Sequence, residues 1–309
     1  MRACIDIGGT KVAVSLNDGA GRELRARRAE PTAKTGSSDA LALQVLRMVD
    51  QACAELRVAP RSVQVAGVSS CGPFVMRDGL AEVAAPNICG GIAGPARGLP
   101  NDWKTAVLEA PLRARFAQVR VENDCVAALE AERNWGALQG SAHCAYVTWS
   151  TGIGVGLCVD GRVLRGKNGN AGHAGHMFVS DDDAALCGCG NVGDVEALVG
   201  GNAILRRFGC DAAALFQQAA AGDGAAQATV SELCRVLGRA LYNLVTTLDL
   251  QRISLGGSVF WHNRADLLPR LQYEVSRRFP AMTADCELVA AGLGDAVGDY
   301  AALALLGAA

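Results

Sequence analysis

Residues 2–16 read RACIDIGGTKVAVSL. Two short apolar runs flank Asp6-Ile7-Gly8-Gly9-Thr10-Lys11, which predicts a hairpin whose turn carries two glycines, a hydroxyl and a cation. Glycines let backbone N–H groups face a phosphate closely, Thr10 adds a donor and Lys11 a positive charge. Asp6 is placed to hold the waters of a metal ion. The turn joins strand to strand and opens no helix, so it is neither the P-loop nor the dinucleotide fingerprint. Taken alone it could equally be a plain hairpin turn. The device recurs at 145–159, AYVTWSTGIGVGLCV, where Ser150-Thr151-Gly152-Ile153-Gly154 again separates two apolar runs. Two such hairpins, one lobe apart, are what a protein needs to hold a polyphosphate from both sides.

At 309 residues the chain exceeds what one core usually serves, so two lobes are expected. Half of it is hydrophobic and 19% charged, with a formal net charge of −2. That balance offers no electrostatic reason to bind nucleic acid or an anionic membrane. No apolar run reaches the roughly 20 residues of a membrane helix, and Met1 leads straight into a strand, so the expected location is cytoplasmic. The twelve cysteines are scattered through apolar contexts and read as reduced thiols; Cys187 and Cys189 alone are spaced like metal ligands.

Further along, 39–56 has helical periodicity and 63–69 is a buried strand. A Gly/Pro-rich rim loop runs from Asn87 to Pro100, and Asn87 could face substrate or simply solvent. Helix 104–116 and strand 118–121 then deliver Glu122-Asn123-Asp124 to the start of helix 125–134. A carboxylate and an amide at that junction sit where open α/β sheets bind ligands, although Asp124 also suits a helix cap. The segment 169–196, GNAGHAGHMFVSDDDAALCGCGNVGDVE, gathers two of the four histidines, His173 and His176, with Cys187, Cys189, Asp194 and Glu196. So many metal-capable and proton-handling groups in one glycine-punctuated segment indicate a site. Helices follow at 203–208, 212–221 and 225–250. Strand 252–255 meets Gly256-Gly257-Ser258, glycines suited either to flat contact with a base or to close helix packing, and a last apolar helix is expected at 300–306.

Together, DIGGTK (6–11), ENDC (122–125), STGIG (150–154), G-x-x-G-x-A-G-x-x-G-H (166–176), C-x-C-G-x-x-G (187–193) and LGGS (255–258) resemble the ROK family of bacterial sugar kinases and sugar-responsive repressors, in the family's order. The resemblance implies an α/β, two-lobed actin/hexokinase-like (ribonuclease H-like) fold with a deep interlobe cleft. Its expected lobes are 1–116, joined by the returning C-terminal helix 297–309, and 117–296. It implies an ATP-dependent kinase acting on the 6-hydroxyl of a glucose-like or amino-hexose, with Asp124 as general base. Asp6, Gly9, Thr10, Lys11, Thr151 and Gly152 would cradle ATP phosphates with Mg²⁺, and Gly256 and Gly257 would wall the adenosine. Asn87, Asn123, Asp124, His173, His176 and Glu196 would meet the sugar. A structural Zn²⁺ would sit on His176, Cys187, Cys189 and Asp194, and a homodimer or homotetramer is expected.

Two departures from the family pattern matter. His173 stands where the family has Glu, and Asp194 where it has a third cysteine. A carboxylate accepts from two hydroxyls, whereas a neutral imidazole accepts at one nitrogen and donates from the other, so the favoured substrate is expected to differ from plain glucose. A C7-cyclitol of the valiolone type is therefore the alternative acceptor, and a non-catalytic sugar-sensing protein the alternative function. Family repressors carry a helix-turn-helix ahead of the phosphate loop, for which a loop starting at Asp6 leaves no room.

Overall fold

The computed structural model describes residues 1–90, 98–182 and 184–307. Part of the expected rim loop, 91–97, thus lies outside the described residues. The chain separates into two compact units, one of Met1–Asn134, Arg165–Ala171 and Ala296–Ala309, the other of Trp135–Leu164 and Gly172–Asp295.

In the first unit, strands Arg2–Ile7 and Lys11–Asn17 form the expected hairpin, and Arg25–Pro31 extends it as an antiparallel edge. Val65–Ser70 then pairs in parallel with Arg2–Ile7, and Gln118–Asn123 in parallel with Val65–Ser70. Helix Ala40–Leu56 buries Leu41, Val45, Met48, Val49 and Ala52, a stripe at helical spacing, in the same core as Ile5, Ile7, Val12 and Val14. The second unit repeats the sheet order: a meander of Cys144–Trp149, Ile153–Val159 and Arg162–Val163, then parallel strands Arg252–Gly256 and Glu287–Ala290. Its core joins Val147, Trp149, Ile253 and Leu255 to helices Gly224–Leu248 and Ser258–Ser276. Trp149 is fully buried, and its indole N–H donates to the Val199 carbonyl at 2.7 Å.

The boundary expected at Phe116 falls instead at Asn134, because Gln118–Asn123 belongs to the first sheet and helix Asp124–Trp135 follows it there. The helix expected over 104–116 is a strand, Ala106–Val107, followed by helix Glu109–Arg115. Pro111 lacks an N–H and is accommodated at least cost in a first turn, which favours a helix starting at Glu109 over one starting at Lys104.

Helix Val297–Ala304 packs on Arg2–Ile7 and Val65–Ser70. Gly67 makes the approach possible: a Cβ there would stand 2.2 Å from the Ala302 carbonyl oxygen. Gly67→Val is accordingly expected to destabilise the chain by about 1–3 kcal/mol, read from denaturant midpoints, because the helix must lift.

Candidate active site

The parallel strands of the first unit set the register of its polar residues. Asp6, Ser69 and Glu122 lie in one row, Ile7, Ser70 and Asn123 in the next, and Asp124 follows at once. Ser69 donates its hydroxyl to Asp6 Oδ1 at 3.2 Å. Burial and the neighbouring Asp124 charge push the Asp6 carboxyl up to about 6, with Ser69 and Lys11 pulling the other way. Burial also raises the Asp124 carboxyl, against hydrogen bonds from Cys125 and Asn123. The Cys125 N–H donates to Asp124 Oδ1 at 2.8 Å and to Asn123 Oδ1 at 3.0 Å. Contacts of the capping kind are thus shared between the two residues, and Asp124 itself opens the helix.

The first hairpin turn is closed by Gly8 N–H donating to the Lys11 carbonyl at 2.8 Å. Thr32 braces it from the edge strand's end, donating its hydroxyl to the Gly8 carbonyl at 2.7 Å and its N–H to the Thr10 carbonyl at 3.1 Å. Asn87 lies over Gly9 so closely that a Cβ there would be 1.8 Å from Asn87 Nδ2. Thr10 and Lys11 are exposed. Glu122 accepts from Arg165 at 2.6 Å, and Glu130 of the same helix as Asp124 accepts from Arg165 at 3.2 Å and Arg120 at 3.1 Å. Two cations thereby bind the strand that ends at Asn123 to the helix that starts at Asp124.

In the second unit the turn after Trp149 is held from outside. Ser150 N–H donates to the Gly152 carbonyl at 3.0 Å, and Gly201 and Asn202 donate to the Ser150 and Thr151 carbonyls at 2.8 and 3.1 Å. Glu196 Oε2 accepts from Ile153 N–H at 3.0 Å, and a Cβ on Gly152 would stand 2.3 Å from that oxygen. Gly256 and Gly257 are packed tightly: a Cβ on Gly256 would meet the Tyr146 hydroxyl at 2.5 Å, and one on Gly257 the Trp149 carbonyl at 2.5 Å. Gly257 has φ +87 and starts helix Ser258–Ser276, a conformation that favours glycine. The nearest atoms to both positions belong to strand Cys144–Trp149 and not to a helix.

His176, Cys187, Cys189 and Asp194 converge, one ligand atom from each lying within 4.8 Å of all the others. His176 Nδ1 is 3.1 Å from Asp194 Oδ2 and 3.6 Å from Cys187 Sγ, and Cys189 Sγ is 3.6 Å from Asp194 Oδ2. A tetrahedron with the usual zinc–sulfur, –nitrogen and –oxygen bond lengths has edges of about 3.3–3.8 Å, so the donor set fits zinc. Asp194 is almost wholly buried, and its second oxygen, Oδ1, accepts the Ala197 N–H at 2.7 Å as the cap of helix Val195–Val199. The hydrogen bond to Asp194 raises the His176 pKa against the opposing effect of burial.

Of the residues expected to act together, Asp6, Gly9, Thr10, Lys11, Asn87, Asn123 and Asp124 belong to the first unit, and Thr151, Gly152, His173, His176, Cys187, Cys189, Asp194, Glu196, Gly256 and Gly257 to the second. His173 starts the short turn Ala174–His176, its ring centroid 6.1 Å from that of His176. Ser69, Thr32 and Arg165 were not singled out by sequence. Ser69 could have been found at the end of its buried strand, whereas nothing local marks Thr32 or Arg165.

A glycine turn at the head of each of two sheets with one strand order defines an α/β protein of the actin/hexokinase-like class. Solved structures agree. The ROK hexokinase from Thermus thermophilus is 30% identical, with 98% of this chain and 96% of that one covered and a TM-score of 0.75. A ROK family glucokinase from Streptomyces griseus, solved with glucose and AMPPNP, is 26% identical over 97% of each chain, TM-score 0.66. The N-acetylmannosamine kinase of Salmonella typhimurium is 34% identical over 266 residues, 82% of each protein. The ROK family model matches residues 2–308, and the chain belongs to that family.

Proposed function

We propose that the chain is an ATP-dependent carbohydrate kinase that transfers the γ-phosphoryl group of ATP to the 6-hydroxyl of a hexose. The observation that carries this reading is Asp124, a half-buried carboxylate directly after a parallel strand, raised above its ordinary aspartate pKa and placed so that its charge acts on Asp6. As the hydroxyl oxygen bonds to phosphorus and ADP leaves, Asp124 takes the hydroxyl proton. A positioned base of this kind contributes about 10²–10⁴-fold. Asp6 would hold Mg²⁺, which offsets charge on the transferring phosphoryl group. The turns at Gly9, Thr10 and Lys11 and at Thr151 and Gly152 would hold the phosphates, and Gly256 and Gly257 the adenosine. Zn²⁺ on His176, Cys187, Cys189 and Asp194 would fix the loop that presents His176 to the sugar. Asn87, Asn123, His173 and Glu196 would complete the sugar contacts.

ADP release measured with glucose, mannose, their N-acetyl forms, kanosamine and valiolone-type cyclitols tests the reading. Turnover is expected with a hexose, N-acetylmannosamine included because a relative bears that name. ADP release no faster than the sugar-free background with every acceptor would end it. His173 favours a second reading, a cyclitol or amino-hexose acceptor. The wrong donor/acceptor pattern at a buried hydroxyl costs about 1–3 kcal/mol, or about one to two decades in affinity. His173→Glu is therefore expected to shift the ranking of kcat/KM towards glucose by about tenfold or more. An unchanged ranking would remove His173 from the specificity argument.

A further inference from the structure

The metal cluster and the second glycine turn are joined through a very short stretch of chain. Asp194 uses both carboxylate oxygens: Oδ2 faces His176 and Cys189 in the cluster, while Oδ1 caps the helix that follows. That helix, Val195–Val199, has only five residues. Helices so short are not stable by themselves, so its geometry depends on the cap and on packing. Its second residue, Glu196, accepts the Ile153 N–H at 3.0 Å through Oε2, while Oε1 lies 3.6 Å from Cys187 Sγ. The residues immediately after the helix, Gly201 and Asn202, donate to the Ser150 and Thr151 carbonyls. Turn 150–153 is thus shaped by a segment whose near end is a carboxylate of the cluster.

We propose that Glu196 is a positioning residue through which filling of the His176, Cys187, Cys189 and Asp194 cluster by zinc raises the affinity of turn 150–153 for nucleotide phosphate. The inference rests on the reading of that turn as part of the ATP cradle. Asp194, if it helped to hold Zn²⁺, would be kept in the rotamer whose other oxygen caps the helix. The capped helix holds Glu196 over Gly152, in space that only a glycine leaves open. A turn already held in its binding shape loses less freedom when phosphate arrives, and so binds more tightly.

The test is calorimetric binding of Mg²⁺·AMPPNP to the full chain without sugar, so that any contact of Glu196 with a sugar does not enter. Chelator-stripped protein is compared with protein reloaded to one zinc per chain. Stripping is expected to weaken binding by about tenfold, and so is Glu196→Ala in zinc-loaded protein, on the scale of one lost charge-assisted hydrogen bond. Glu196→Gln keeps an oxygen that can accept the Ile153 N–H and is expected to stay within about twofold of the parent. Equal affinity of stripped and reloaded protein, or of zinc-loaded Glu196→Ala and the parent, would overturn the coupling while leaving the kinase reading intact. If the zinc-loaded parent binds no nucleotide, both fall together. Should Glu196→Ala fail to hold zinc, the stripped and reloaded parent decides; should stripping unfold the chain, the variant decides.

Discussion

Asp124→Asn is expected to lower kcat by about 10²–10⁴-fold while sugar KM changes no more than severalfold. The amide keeps the size of the side chain and an oxygen to accept the Cys125 N–H now received at 2.8 Å, so the start of helix Asp124–Trp135 should survive. What is lost is the proton acceptor. An interaction made only as the hydroxyl proton leaves affects kcat and kcat/KM together, whereas a sugar-orienting hydrogen bond would appear in KM. The parent should also lose activity in acid as Asp124 is protonated. Because burial raises that carboxyl, the loss should set in above the ordinary aspartate value of 3.8. Steady-state kinetics of parent and variant across pH check both points. A variant with parental kcat would remove Asp124 from the chemistry. If kcat held while KM rose by orders of magnitude, its role would be binding alone.

How much of this was legible in the sequence differs from element to element. The two hairpins could be read because strands buried on both faces are continuous apolar runs, and their polar turns interrupt those runs abruptly. Strand Arg25–Pro31 could not, since its alternation is between exposed and half-buried positions and RARRAEP carries almost no apolar signal. Helix Ser258–Ser276 escaped for a related reason: Pro269, which the helix runs through, argues against a helix in the sequence, and its apolar positions are diluted by His262, Asn263, Arg264 and Asp266. The cluster of His176, Cys187, Cys189 and Asp194 was legible because its four residues are close in sequence. The bracing of the first turn by Thr32 and of Glu122 by Arg165 was not, because those contacts close loops of 24 and 43 residues. The lobe boundary failed for a topological reason. A short alternating strand such as 118–121 fits either sheet, and only its parallel pairing with Val65–Ser70 assigns it to the first.

Asp6→Asn is expected to make the protein more stable at neutral pH and inactive as a kinase. In the absence of nucleotide and metal, ionised Asp6 is disfavoured by burial and by Asp124, which together raise its carboxyl from 3.8 to about 6. Between those values the folded chain holds more protons than the unfolded one, so stability falls as pH rises through the window. The displacement corresponds to about 3 kcal/mol once pH is well above 6, and to about half of that near pH 5. Asparagine carries no charge to desolvate and can still accept the Ser69 hydroxyl through its oxygen. Denaturant unfolding should therefore show the variant ahead of the parent by about 2–3 kcal/mol at pH 8, the gap closing as pH falls towards 4. Activity should move the other way, because an amide is a poorer partner than a carboxylate for Mg²⁺ or its waters. A stability gap of constant size from pH 4 to 8 would mean that the charge of Asp6 is not its source. Full kinase activity in the variant would mean that Asp6 does not hold the metal. With both expected results in hand, the cost of ionising Asp6, set first by burial and then by the Asp124 charge, becomes a strain maintained for function, one that Mg²⁺ held by Asp6 would relieve by compensating that carboxylate.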